Sequence, residues 1–278
     1  MKLEITQKDV TEEKVRQNLI DVLTPHETQA LFLLGNLRSR FQPSFIYVAQ
    51  KAGHIVGVCG FYPTFHSCSM YSENDEASRA LAQVVLNKHP SVTALLGIAH
   101  MVKPAYEEFI SQGRISTADP EGIFFELAMR DFTPFTSPDA VIRPITEHDV
   151  DEAARLTRLI HLLPFEDPIT EEERLKVKAC EIIFCLEIEG KIVAVASSNG
   201  LAIKAFQILG VATHPDFQRK GYAKAVCSHL IRYMQTKGAT KAIIFTGEEN
   251  VAARKCYLDL GFRITDRYYV GIFQAIHC

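Results

Sequence analysis

Three stretches of this chain return, in the same order, further along it. ITQKDV at 5–10 comes back as ITEHDV at 145–150, and AGHIVGVCG at 52–60 as EGKIVAVAS at 189–197. A third echo closes each half: VTALLG at 92–97 against TKAIIF at 240–245, and AYEEFISQGR at 105–114 against ARKCYLDLGFR at 253–263. The offsets are 140, 137 and, anchored on Gly113 and Gly261, 148. Ordered echoes whose spacing drifts by no more than small loop insertions specify a duplicated unit of about 140 residues. The 278 residues then divide into two domains of ordinary size, 1–137 and 138–278. DFTPFTSPD, with Pro134 and Pro138, is the linker between them.

Each copy has the same coarse pattern. In the second, VIRPI is a short strand, and EHDVDEAARLTRLIHLL has apolar residues at helical period behind a Thr146 cap. A shorter helix starts from Thr170. Strands EIIFCLEIE and KIVAVASSN follow, joined by a turn at Gly190, and LAIKAFQILGVAT is expected as a third long strand. RKGYAKAVCSHLIRYMQ is the next helix, KAIIFT a strand, Asn250–Leu260 a helix closed by Gly261, and YYVGIF lies in the last strand. The order β-α-α-β-β-β-α-β-α-β mixes hairpins with one crossover. It specifies an α+β domain, twice: a mixed, mostly antiparallel sheet flanked by helices.

Composition narrows the function. A net charge of −3 gives no electrostatic footprint for nucleic acid. No apolar run approaches the roughly 18–20 residues of a membrane span, and MKLEITQKDV lacks the apolar core of a signal peptide, so a cytoplasmic protein is expected. Seven scattered cysteines, mostly in apolar stretches, read as buried free thiols. Cys and His never fall at zinc-ligand spacing, so no metal is expected.

The chemistry concentrates near residue 220, where THPDFQRKGYAKA places Arg219, Lys220 and Lys224 at the start of a helical pattern. A helix start already carries about half a positive charge and several unpaired N–H groups. Cations there are a solvated face in the simplest case, but an anion at the same place explains them better, and Gly221 and Ala223 leave the backbone bare enough for a phosphate to approach. Neither G-x-x-x-x-G-K-[ST] nor G-x-G-x-x-G occurs.

Gln218-Arg219-Lys220-Gly221-Tyr222-Ala223 resembles the [QR]-x-x-G-x-[GA] signature of the GNAT superfamily of CoA-dependent N-acyltransferases. NVAARKCYLDLGF at 250–262 resembles that family's second landmark, N-x-x-A-x-x-x-Y-x-x-x-G-F. The tandem layout, with GVATHPDFQRKGYA, is similar to the glycine N-acyltransferase-like branch. The resemblance covers the C-terminal half and implies two tandem GNAT-like domains, with acetyl-CoA or another acyl-CoA as co-substrate and a small amine or amino acid as acceptor. It implies that the CoA pyrophosphate sits on residues 218–223 and that pantetheine pairs with Val211, Ala212 and Thr213 between splayed strands. An N–H near Val211 would bond the developing oxyanion, Asn250 would touch the cofactor, and Tyr257 would protonate the leaving thiolate. Asn250 and Tyr257, seven residues apart, share a helix face to within about 20°, although Asn250 also suits a helix cap and Tyr257 also suits packing against Phe262.

The general base stays open. Many family members carry a glutamate on the third long strand, where this chain has Gln207. Glu166 and Asp167 border the acceptor segment and are not explained by the Thr170–Glu173 capping box. That gap keeps a second reading in play, an acyl-CoA-binding sensor without turnover. In the first copy the turn corresponding to QRKGYA is YSENDEASRALA, with Glu73, Asp75 and Glu76 at the helix start; Phe109 stands opposite Tyr257 and Val102 opposite Asn250. A degenerate first domain that binds no CoA is expected.

Overall fold

The second echo of the sequence is a turn. Glu189 and Gly190 hold φ of +50° and +78°, and Ala52 and Gly53 hold +55° and +80°. Two successive left-handed residues make the type I′ corner whose twist suits a hairpin, and glycine takes the second place without a Cβ penalty.

The computed structural model describes residues 2–39, 44–117, 121–161 and 163–275. Its first half runs β1 (Leu3–Lys8), α1 (Glu13–Leu23), α2 (Leu31–Ser39), β2 (Phe45–Lys51), β3 (His54–Tyr62), β4 (Ser67–Ser72), α3 (Asp75–Lys88), β5 (Ala94–Ile98), α4 (Ala99–Ser111) and β6 (Glu121–Ala128). The second half runs β7 (Val141–Pro144), α5 (Val150–Arg158), α6 (Glu171–Lys178), β8 (Ile182–Ile188), β9 (Lys191–Ser198), β10 (Ala205–Gln207), β11 (Leu209–Thr213), α7 (Tyr222–Thr236), β12 (Lys241–Thr246), α8 (Val251–Asp259) and β13 (Arg263–Ile272).

Backbone contacts group the chain into two compact units that a single cut in the linker does not produce. The first holds residues up to Phe124, Phe245–Glu249 and the C-terminal segment from Ile264; the second holds Phe125–Ile244 and Asn250–Arg263. Membership is thus exchanged at the chain's end, where the expected division at 137/138 is contiguous.

In the first unit the strands lie in the order β1-β2-β3-β4-β5-β13. All neighbours are antiparallel except β4 and β5. Strand β13 pairs with β5 from Tyr268↔Ile98 to Ile272↔Ala94. The reason is visible at Tyr268, 2% exposed, whose ring lies between Phe124 at 5.6 Å and Phe245 at 4.3 Å, both stacked. Offset stacks of this kind add about 0.5–1.5 kcal/mol each to what burial contributes.

The second unit has a four-stranded antiparallel sheet, β7-β8-β9-β11. Alternation along β8 sorts its two faces. Ile183 and Cys185 join the core cluster with Val150, Ala154 and Leu156 of α5 and Val177 of α6. Phe184 points the other way, against His229 and Tyr233 of α7. Helix α7 buries Ala225, Val226, Leu230, Ile231 and Met234, and each fully buried Leu or Ile contributes about 1.5–3 kcal/mol. Helix α6 starts with the reciprocal Thr170–Glu173 capping box.

The long strand expected over LAIKAFQILGVAT is two strands. β10 pairs in parallel with β12 from Ala205↔Lys241 to Gln207↔Ile243, and the Ile208 N–H still reaches the Ile243 carbonyl at 2.9 Å. From Leu209 the chain changes partner, and β11 runs against β9. The register then slips by one: Leu209 faces Ser197, but Ala212 faces Val195. Gly210 and Val211 therefore share Ala196 as their opposite residue, with Gly210 at φ +63°. This is a bulge that opens on a left-handed glycine.

Candidate active site

The parting at Ile208 creates the site. Ala205, Phe206, Gln207 and Ile208 are buried, at 0, 0, 8 and 1% exposure. Immediately after them, Leu209, Gly210, Val211 and Thr213 are half-buried, and only Ala212 of β11 turns into the core. Strand β11 thus leaves β12 and presents a partly open backbone edge, where sequence placed Val211, Ala212 and Thr213. Among the described residues the first unit has no such parting. Its β4 pairs with β3 without a slip from Gly57↔Ser72 to Tyr62↔Ser67.

Beyond β11 the chain turns tightly into α7. Arg219 has φ +63° and Gly221 φ +84°, so left-handed residues flank Lys220. A curl of this kind makes a concave backbone. A Cβ on Gly221 would lie 3.1 Å from the Phe135 ring, and its φ disfavours one in any case. The helix begins at Tyr222, later than the pattern suggested, because Arg219 and Gly221 cannot be helical in that conformation. Arg219 and Lys220 consequently precede the helix. The Gly221 carbonyl takes the Ala225 N–H at 2.9 Å, which leaves the N–H groups of Tyr222, Ala223 and Lys224 without helical partners, and no side chain caps them. At the matching place in the first unit, the Asn74 side chain accepts from the Ala77 N–H at 3.0 Å. One helix start is closed by its own side chain; the other is open.

The three cations there differ. Lys224 is neutralised by Asp259 at 3.1 Å and stands 4.2 Å from the Phe135 ring centroid. Lys220 leans on the Phe217 ring at 4.9 Å, and Arg219 is exposed. Gln218 reaches back to the Thr213 carbonyl at 3.3 Å, tying the turn to β11. Phe135, assigned by sequence to the linker, therefore packs against the turn. No pattern in DFTPFTSPD marks that role.

Helix α8 carries the second landmark. Asn250 is its N-cap, accepting from the Ala253 N–H at 3.1 Å, which leaves its amide NH2 for other partners. Tyr257 is 4% exposed and packs edge-on against Phe125 at 5.6 Å. Burial, with the Cys227 and Cys256 thiols beside it, pushes its pKa well above the usual value of 10.0, and no hydrogen bond to its hydroxyl contributes. The Tyr257 carbonyl accepts from the Phe262 N–H at 3.1 Å just as the Phe109 carbonyl accepts from Arg114 at 3.0 Å. The echo alignment of Phe109 with Tyr257 is thereby reproduced in the two helix ends.

Gln207 is buried on β10, while Glu166 and Asp167 are exposed in the loop before α6. That loop is held from beneath. Arg158, 5% exposed, donates to the carbonyls of Pro164, Asp167 and Pro168 at 3.2, 2.6 and 2.7 Å and grips Glu173 with two bonds at 2.5 and 2.7 Å. Arg155 adds a bond to the Phe165 carbonyl at 3.0 Å. Such saturation is what allows an arginine to be buried. Among the described residues no cluster could hold a metal, no helix is long and apolar enough to cross a membrane, and six cysteines are free.

A family model described as the acetyltransferase (GNAT) family matches residues 149–262, which span the parted strand, the open turn and Tyr257. An acetyltransferase of Yersinia enterocolitica is 31% identical over 133 residues, which are 47% of this chain and 92% of that protein. The chain belongs to the GNAT acetyltransferase family. A [ribosomal protein bS18]-alanine N-acetyltransferase of Haemophilus ducreyi is 26% identical over 136 residues, 46% of this chain and 88% of its own length. A tandem GNAT protein from the clavulanic acid biosynthesis pathway has a TM-score of 0.63, covering 97% of this chain and 98% of its own at 12% identity, a likeness of fold. The chain is thus an enzyme of the GNAT N-acetyltransferase type in a tandem arrangement, with mixed sheets flanked by helices.

Proposed function

We propose that the second unit of this GNAT protein transfers an acetyl group from acetyl-CoA to the amine of a small molecule or amino acid. The observation that carries this reading is the parting of β10 and β11 at Ile208 beside a helix start without a side-chain cap. The residues present fit the co-substrate. Three N–H groups, the exposed Arg219 and Lys220 at the left-handed turn would take the pyrophosphate, and Val211 and Thr213 would pair with the amides of pantetheine. When bound, acetyl-CoA supplies an activated thioester. A backbone N–H of the Gly210–Val211 bulge would bond its carbonyl oxygen as charge develops there. Tyr257, protonated and unbonded, would give its proton to the departing sulfur, and Asn250 would offer its amide NH2 to the same ligand. The Gln207 amide cannot accept a proton, so β10 offers no base; Glu166 and Asp167 on the Arg158-held loop would draw the protonated amine, which would lose its proton to water before it attacks. The first unit, with an unslipped β4, a self-capped α3 and Phe109 in place of the phenol, binds no CoA in this reading.

The test is release of free thiol from acetyl-CoA by the full chain against a panel of amines, amino acids and peptides. Turnover with small amines is the expected outcome. Saturable binding of acetyl-CoA without thiol release across the panel would overturn it in favour of a CoA-binding sensor, and turnover confined to peptides would replace the acceptor class.

A further inference from the structure

We propose that Ser197 is a positioning residue for acyl transfer: its hydroxyl, by holding the Leu209 carbonyl, keeps the Gly210–Val211 bulge in the form that frees a backbone N–H for the acyl carbonyl. The inference rests on the acetyl-transfer reading above and extends it to a residue on β9 that no motif marks.

Ser197 is 4% exposed and donates from Oγ to the Leu209 carbonyl at 2.8 Å. Leu209 is the last residue in register before the slip, and Gly210 and Val211 then face the single residue Ala196. Ala196 can serve only one of them in the ladder, so one member of the pair has a backbone N–H to spare. The serine is also packed against the bulge itself, since a Cβ on Gly210 would lie 2.5 Å from Ser197 Oγ. Without the hydroxyl, the part-buried Leu209 carbonyl loses this partner. The cheapest relief is for β11 to close up into regular pairing, which turns the spare N–H toward β9 and away from the cleft.

The duplicated half supplies an independent comparison. In the echo of AGHIVGVCG with EGKIVAVAS, the position of Ser197 is held by Gly60. Gly60 pairs with Ser69 in a ladder that runs through without a slip. The copy with the bulge has the hydroxyl, and the copy without the bulge lacks it.

Ser197→Ala, Ser197→Thr and Gly210→Ala are to be made in the full chain. Each is assayed for acetyl-CoA affinity, for turnover, and for the infrared carbonyl band of acetyl-CoA labelled with 13C at the thioester carbonyl. In the wild type that band should fall below its position in solution. Ser197→Ala should return it toward the solution value and lower kcat about 10- to 100-fold, with Kd changed less than about threefold. Ser197→Thr, which keeps the hydroxyl, should retain the band and a kcat within about threefold. Gly210→Ala, whose Cβ would lie 2.5 Å from Ser197 Oγ, should displace the same band; a wild-type band in that variant would overturn the proposal even if an alanine at 197 prevents folding. A wild-type band and kcat in Ser197→Ala, or equal losses in the alanine and threonine variants, would overturn the proposal. A shifted band in a wild type that acetylates nothing would leave the positioning role standing and sink the transfer reading. Failure of the wild type to bind acetyl-CoA would sink both.

Discussion

A phenol buried beside two thiols, with no hydrogen-bond partner among the described residues, holds its proton tightly. For Tyr257 the raised pKa means that the acid form persists across the whole assay range below it, so this residue adds no descending limb to a pH–rate profile up to pH about 10. Tyr257→Phe should lower kcat about 100-fold while acetyl-CoA affinity stays within about twofold, because the ring's contacts with Phe125 survive. An unchanged kcat with chemistry rate-limiting would confine Tyr257 to packing. The rising limb belongs to the acceptor. With Gln207 in place of a carboxylate, log kcat/KM should climb with pH until the acceptor's own pKa, and a plateau near pH 7 for an alkylamine would reveal a base elsewhere. Arg219 and Lys220 act through charge on an exposed turn. Replacing both with alanine should weaken acetyl-CoA binding at low salt, and titrations at two salt concentrations should show the loss shrinking as screening rises. Lys224, already paired with Asp259, should matter less than Lys220.

At the scale of elements, α5 and α6 are pinned by carboxylates whose pKa values the structure depresses. Glu173 is held well below its usual 4.5, first by Arg158 and then by the Thr170 N–H. Asp149 is held well below its usual 3.8, first by Arg143 and then by Thr146. A carboxylate with a lowered folded-state pKa stabilises the fold above the unfolded-state value and loses that contribution as pH falls from about 4 toward the folded value. Thermal melts between pH 7 and pH 2 should show Glu173→Gln less stable than wild type at pH 7 and converging on it in acid; a constant difference across that range would remove the linkage. Much at this scale was legible in the sequence: the Thr170 box, the Gly261 helix end, the Gly190 corner and the turn at 218–223. The break at Ile208 was not, because AFQILGVAT is one apolar run with no breaker at the point where it changes partner, and Gly210, its sole signal, also suits a strand. Ser197, Phe135 and Arg158 were invisible for a different reason. Each is defined by groups outside its own element, the Leu209 carbonyl for Ser197, Lys224 and the Ser228 hydroxyl for Phe135, and the 164–168 carbonyls with Glu173 for Arg158, and local pattern carries no trace of such partners. The positive φ of Arg219 was likewise hidden, since only glycine advertises a left-handed residue.

For the whole molecule, calorimetric titration of the intact chain with acetyl-CoA should give one site, since β4 neither parts nor slips and Asn74 closes the α3 start. Two equivalent sites would end the division between an active and a degenerate copy. The pairing of β13 with β5 reaches beyond ligand binding, into how the chain is made. On a ribosome that adds about 5–20 residues per second, the edge of β5 at Ala94–Ile98 emerges well before its partner at Tyr268–Ile272. For roughly ten to thirty seconds at that rate, a nascent chain carries a bare strand edge of the kind that recruits other chains. A message truncated anywhere before codon 264 leaves that edge bare permanently, so the first unit is not safe to release until β13 has been made.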